Sequence, residues 1–146
     1  MGRFSIPEPE YKLSRETGDA AVAELLGYYG INLGVLADDQ REAIEAMCAR
    51  LSGYYRLGLV ENIREGGVLK VKQHLQDPPG EVREIVYGRI GGKHRLAGDR
   101  YKENERYAKL YAIMGSLSGL GETGIVALSG VDLSVVEVLG ILFLFS

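Results

Sequence analysis

The chain reads as an α+β domain, mostly helical with one β-hairpin, and three observations carry that reading. Two apolar stripes at helical spacing flank the middle of the sequence. Between them lies a segment in which apolar and polar residues alternate. After it comes Gln76-Asp77-Pro78-Pro79-Gly80, where proline sets φ and glycine permits a left-handed residue, as a turn requires. At 146 residues the chain suits a single domain, large enough to bury one core.

In chain order, residues 1–16 read as an extended arm, holding Pro7 and Pro9 among mixed charges. Residues 17–146 form the domain. Thr17 or Asp19 can cap a helix to about Tyr29, with Val22, Leu25, Leu26 and Tyr29 on one face. A glycine-punctuated connector, residues 27–34, carries Tyr28 and Tyr29, which suit aromatic core or rim positions. Asp38 suits an N-cap and Asp39 the positive end of a helix dipole. Ile44, Met47, Cys48, Leu51, Tyr55 and Leu59 then form one buried stripe, weakened at Gly53 and Gly58, with a bend or break expected near 58, and stopped at Gly66-Gly67. Helices therefore occupy about residues 17–65.

The hairpin is expected over about residues 68–90. Leu69, Val71 and Leu75 alternate with Lys70, Lys72 and His74, and residues 81–90, rich in Val, Ile and Tyr, return. C-terminal helices are expected over about 93–145. Tyr107, Leu110, Tyr111, Met114 and Leu117 make the second stripe, ended by Gly119, and it is expected to share a core with Ile44, Met47 and Leu51. Residues 121–128 make about two turns. Asp132 caps a last helix that is apolar on nearly every side.

Candidate chemistry is thin. Gly119, Gly121 and Gly124 match a dinucleotide-binding spacing, but a helical stripe precedes them where a strand is required. Residues 88–93 lack the first glycine and the Ser or Thr of a phosphate loop. His74 and His94 have no Cys or carboxylate at a metal-binding spacing, and nothing supplies His94 with a nucleophile. The one cysteine, Cys48, sits within an apolar stripe and reads as a core residue. No catalytic, cofactor-binding or metal-binding residue is expected.

Arg89, Lys93, Arg95, Arg100, Lys102, Arg106 and Lys109 form a basic run interleaved with Tyr101 and Tyr107. It would suit a nucleic-acid-binding regulator. Asp99, Glu103 and Glu105 dilute it, and the whole chain carries −3, so a solvated helix face is preferred and nucleic acid is not the expected partner. The N-terminus lacks the apolar core of a signal peptide, and Ile6 stands where a myristoylation pattern needs Ser or Thr. The most apolar stretch, residues 131–145, is too short to span a bilayer, so no membrane is expected and the chain reads as cytosolic.

That stretch points to binding. Residues 110–146 contain no Lys or Arg, and an apolar terminus must be covered by its own core or by another chain. Leu139, Leu142, Phe143 and Phe145, with Leu120 and Leu128 from the preceding turn, are the candidate partner-binding residues, for self-association into a homo-oligomer or for a helical partner.

The C-terminal part, from Lys109 to Leu144, resembles the tail assembly chaperones of long-tailed bacteriophages. The matching positions are Leu117 to Leu120, Leu128, the capping Asp132 and the apolar Leu142 to Leu144. With the hairpin, the resemblance spans roughly residues 68–146. It implies a non-enzymatic protein, in the cytoplasm of a bacterial host, that binds the tape measure protein before the tail tube forms around it. The alternatives are the nucleic-acid-binding regulator and a structural tail component that stays in the particle.

Overall fold

A computed structural model describes residues 9–145. Helix α1 (Arg15–Tyr29) leads through a short 3-10 turn to α2 (Asp38–Arg56). Three strands follow, β1 (Val60–Glu65), β2 (Val68–His74) and β3 (Glu84–Tyr87). Helices α3 (Gly92–Leu96), α4 (Arg106–Ser118), α5 (Gly121–Val126) and α6 (Gly130–Phe143) complete the described chain. The strands form one antiparallel sheet in the order β1-β2-β3, so the fold is α+β.

Local chemistry explains the boundaries. Ser14 caps α1, its hydroxyl accepting the Thr17 amide at 3.1 Å, so the cap falls before the Thr17 or Asp19 expected to supply it. Gly30, at φ 72°, ends α1 in the left-handed conformation that favours glycine. Ala37 precedes α2, and Asp38 and Asp39 lie inside its first turn, near the positive end of the dipole.

The expected helix over residues 17–65 is corrected at its end. Gly58, at φ 77°, follows the end of α2, and residues 60–65 are the first strand. Gly66 and Gly67 do not stop a helix. Both have positive φ (58° and 80°), as a two-residue hairpin turn matched to strand twist requires, and Glu65 pairs with Val68 across them. A four-residue spacing, Leu59 to Ile63, imitates a helical stripe here.

The expected pairing of residues 69–75 with 82–88 is present as β2 on β3, with His74 opposite Glu84 and Val71 opposite Tyr87. Leu69 and Val71 face the core. The third inward place on β2 belongs to Gln73, which is fully buried, while Leu75 packs against the core beyond the strand's end. Lys70 and Lys72 lie on the other face, paired with Glu65 and Glu84 at 3.3 Å each. His74 shares that face, its Nε2 3.1 Å from Glu61.

The two apolar stripes meet mainly through a third helix. Helix α6 packs against both α2 and α4, and the three contribute to one core cluster. Ile44, Leu51, Leu110 and Met114 are buried in it, with Met47 and Leu117 packed at its edge. Tyr107, expected in the stripe, is 61% exposed. A helix lying between two others is apolar on nearly all sides because it has nearly no solvent side.

Close approaches hold this arrangement. A Cβ on Gly140 would lie 2.6 Å from Leu110 Cδ1, and one on Gly115 would lie 2.4 Å from the Gly121 carbonyl carbon. At Gly115 the neighbour is backbone, so only glycine lets α4 meet α5 there, while a side chain at Gly140 would force Leu110 to shift.

Aromatic rings close the core at the far end of α6. Phe143 stacks at a tilt on Tyr29, centroids 4.8 Å apart, and meets Tyr87 edge-on at 6.3 Å. The Tyr29 hydroxyl donates to the Gly88 carbonyl at 2.9 Å. Burial pushes the Tyr29 phenol up to about 12, with Tyr28 adding to the rise and Arg89 opposing it. An unfolded tyrosine ionises near 10. Above that pH the unfolded chain therefore releases a proton that the folded chain keeps, and stability falls as pH rises towards 12. The loss is about 1.4 kcal/mol per pH unit for this ring. Urea unfolding of Tyr29→Phe between pH 10 and 12 is expected to show a slope shallower than wild type by that amount. Identical slopes would mean that Tyr29 ionises freely within the fold.

Candidate partner-binding surface

Most of the apolar terminus is consumed inside the protein. Leu139, Leu142 and Phe143 are 0% exposed and Leu128 is 4% exposed. These four are buried in the folded chain, where α6 packs against α2, α4 and α5, Phe143 meets Tyr87 of β3, and Leu128 shows only its edge. Leu120 is half-buried, and Phe145, at 38% exposure, is reachable. The structure brings Leu120 and Leu128 together and sets Phe145 elsewhere, at the end of α6.

Leu120 and Leu128 line a small groove of about 140 Å³. Its other wall is the β2–β3 connection, from Leu75 to Val82. That connection is pinned by a residue expected only to cap α6. Asp132 is 1% exposed, and its carboxylate accepts the Gln76 amide at 2.8 Å and the Asp77 amide at 2.9 Å. Its carbonyl accepts Gln73 Nε2 at 2.9 Å, and Gln73 Oε1 accepts the Tyr87 hydroxyl at 2.7 Å. Burial, and then the Asp132 charge, push the Tyr87 phenol well above the usual range. This chain of bonds ties the start of α6 to the inner face of the sheet.

A larger cleft, about 400 Å³, opens where α4 meets the end of α6. Its apolar side is lined by the buried Leu110 and Ile113 of α4, by Ile141 of α6 and by Leu144 just after that helix. Tyr107 stands beside them, and the charged groups on the rim are Arg95, Asp99, Glu103, Arg106 and Lys109. The helical repeat of α4 places Tyr107, Leu110 and Ile113 along one side. Lys109 Nζ lies 2.8 Å from Glu103 Oε1, and this hydrogen bond holds the ammonium above its ordinary value and the carboxyl below its own. In the sequence only the apolar end of the chain, with Ile141 and Leu144, points to this cleft; Tyr107 and Leu110 read as inward residues of one stripe, and the charges beside them as a solvated face.

The basic run does not form one stripe. Arg89 sits 5.4 Å over the Tyr28 ring, and Arg100 pairs with Glu122, which also accepts the Tyr101 hydroxyl. Arg95, Arg106 and Lys109 turn to the cleft.

Groups with catalytic potential are engaged elsewhere. His94 Nδ1 accepts the Gly91 amide at 2.8 Å, and burial, with Lys93 beside it, holds the imidazole below its usual value. Cys48 is half-buried, and burial, then Glu45, push its thiol up, away from the reactive thiolate. Among the described residues no three His, Cys, Asp or Glu side chains are placed to hold a metal ion, and no helix is long and apolar enough to cross a membrane. Compared with models of known families, with curated proteins and with solved structures, the chain matches none.

Proposed function

We propose that the chain is a non-enzymatic protein-binding domain of the tail assembly chaperone kind, and that it holds an amphipathic helical stretch of a tape measure protein. One observation carries the reading: a cleft where α4 meets the end of α6 presents Tyr107, Leu144 and the edge of Ile141 beside charged side chains. Amphipathic helices dock by laying an apolar face into such a groove. The resemblance of residues 68–146 to tail assembly chaperones supplies the partner. A long helical protein awaiting assembly exposes apolar stripes that need temporary cover. The division of the basic run between Tyr28, Glu122 and the cleft favours protein over nucleic acid.

The test is co-purification of the chain with a tape measure protein, sought as the product of a very long helical reading frame immediately downstream. Size-exclusion with light scattering is expected to show a soluble complex, and the chain is expected to be missing from finished particles. Failure to keep the tape measure protein soluble would overturn the reading. Retention in purified tails would favour a structural component.

A further inference from the structure

We propose that residues 9–13 form a strap, closed on Arg56, that opens and shuts while the rest of the fold stays intact. It is independent of what the α4–α6 cleft binds.

The strap is made of chain that has little reason to stay in place. Exposed segments outside helices and strands stay ordered only where something ties them down. Residues 9–13 lie in neither, and every one is exposed. Tyr11 and Leu13 each keep 41% of their surface in water, and neither joins the core cluster.

One residue does the tying. Arg56 ends α2, and its carbonyl accepts the Lys12 amide at 2.7 Å and the Leu13 amide at 3.2 Å. Its side chain returns the contact. Arg56 Nε donates to the Leu13 carbonyl at 3.3 Å, and the guanidinium lies 3.7 Å over the Tyr11 ring. A flat cation stacked on an aromatic face is a role for arginine rather than lysine.

The stem of Arg56 is held from behind. A Cβ on the buried Gly18 of α1 would lie 2.7 Å from Arg56 Cγ and 2.8 Å from Ser52 Oγ. Beside it the Ser52 hydroxyl donates to Asp19 at 2.6 Å. The stem is therefore fixed where α1 meets α2, while the head holds the strap. The post stays in place whether the strap is closed or open.

The energetics follow from this geometry. The closed strap gains hydrogen bonds and a cation–π contact at the surface, where each is worth little. Opening forfeits them together, because they converge on one residue. It returns chain entropy and uncovers no core side chain. The open form bares the Arg56 guanidinium and carbonyl at the corner where α2 leads into β1.

Amide exchange on the full chain at low urea concentrations tests this. Exchange at Lys12 and Leu13, each relative to its intrinsic rate, is expected to be at least about a hundred-fold faster than at Val71 in β2, and to ignore urea. Exchange at Val71 should rise with urea. Arg56→Ala keeps the carbonyl and removes the side-chain clasp, so it should speed exchange at Lys12 and Leu13 by about ten-fold. Arg56→Lys should restore little of that protection. Tyr11→Ala, at an exposed position, should speed the same two amides by about three-fold, and it decides the matter if the Arg56 variants fail to fold. A urea dependence at Lys12 and Leu13 equal to that at Val71 would overturn the proposal, because the arm would then open only when the domain unfolds. Wild-type rates in both Tyr11→Ala and Arg56→Ala would overturn it too, as would exchange at the intrinsic rate in the wild type.

Discussion

Leu142→Ser is expected to cost about 3–5 kcal/mol, while Phe145→Ser, three residues on, leaves the fold intact. Both residues lie in the apolar terminus, and the contrast comes from where α6 runs. Leu142 is fully buried. Serine there leaves a cavity and places a hydroxyl in apolar surroundings, and the two losses add. Phe145 follows the end of α6 and keeps 38% of its surface in water. A loss of 3–5 kcal/mol is a large part of the whole stability of a domain this size, so Leu142→Ser is expected to be substantially unfolded at physiological temperature. Urea unfolding of the two single variants checks this. A loss below about 1 kcal/mol at Leu142 would mean that α6 is peripheral.

Asp132→Ala is expected to be destabilising by about 3–5 kcal/mol as well, by a different route. Alanine removes no large volume. It strands the Gln76 and Asp77 amides, both held by the carboxylate, and hydrogen bonds to a charged acceptor are worth more than neutral ones. Asp132→Asn should recover little, because an amide offers one oxygen where two donors converge. The Gln73 and Tyr87 bonds use the Asp132 backbone and persist in both variants. Amide exchange then separates the contributions: Gln76 and Asp77 should lose protection while Val71 and Gln73 in β2 keep theirs. Simultaneous loss at all four would show that the carboxylate holds the sheet and not only the connection.

Much of the fold was legible where one periodicity governed one element. The stripes of α2 and α4, the alternation of β2 and the stop at Gly119 all survive in the structure. β1 was hidden because Leu59 and Ile63 extend a helical spacing, and because Gly66-Gly67 can end a helix as readily as turn a hairpin. Asp132 at a helix start reads as a cap; its partners, 55 and 56 residues earlier, leave no local trace. The candidate binding residues fared worst for a physical reason. An apolar helix looks the same in sequence whether it covers a partner or fills the centre of its own domain. The cleft itself depends on how α4 sits against the end of α6, a relation that no spacing within either helix encodes.

The central place of α6 also bears on how the chain matures on the ribosome. Of the described helices it leaves the exit tunnel last, yet α2 and α4 meet through it. Until residues 130–143 emerge, α2 can pack on α1 and α4 on the elements around it, but the core that the two helices share stays open. The β1–β2 hairpin, joined by its two-glycine turn, can form early from local contacts alone. The nascent chain therefore carries partly uncovered apolar helices until its last helix is made. Slow codons placed before Gly130 would lengthen that exposure, and synonymous changes there should alter soluble yield without altering the finished protein.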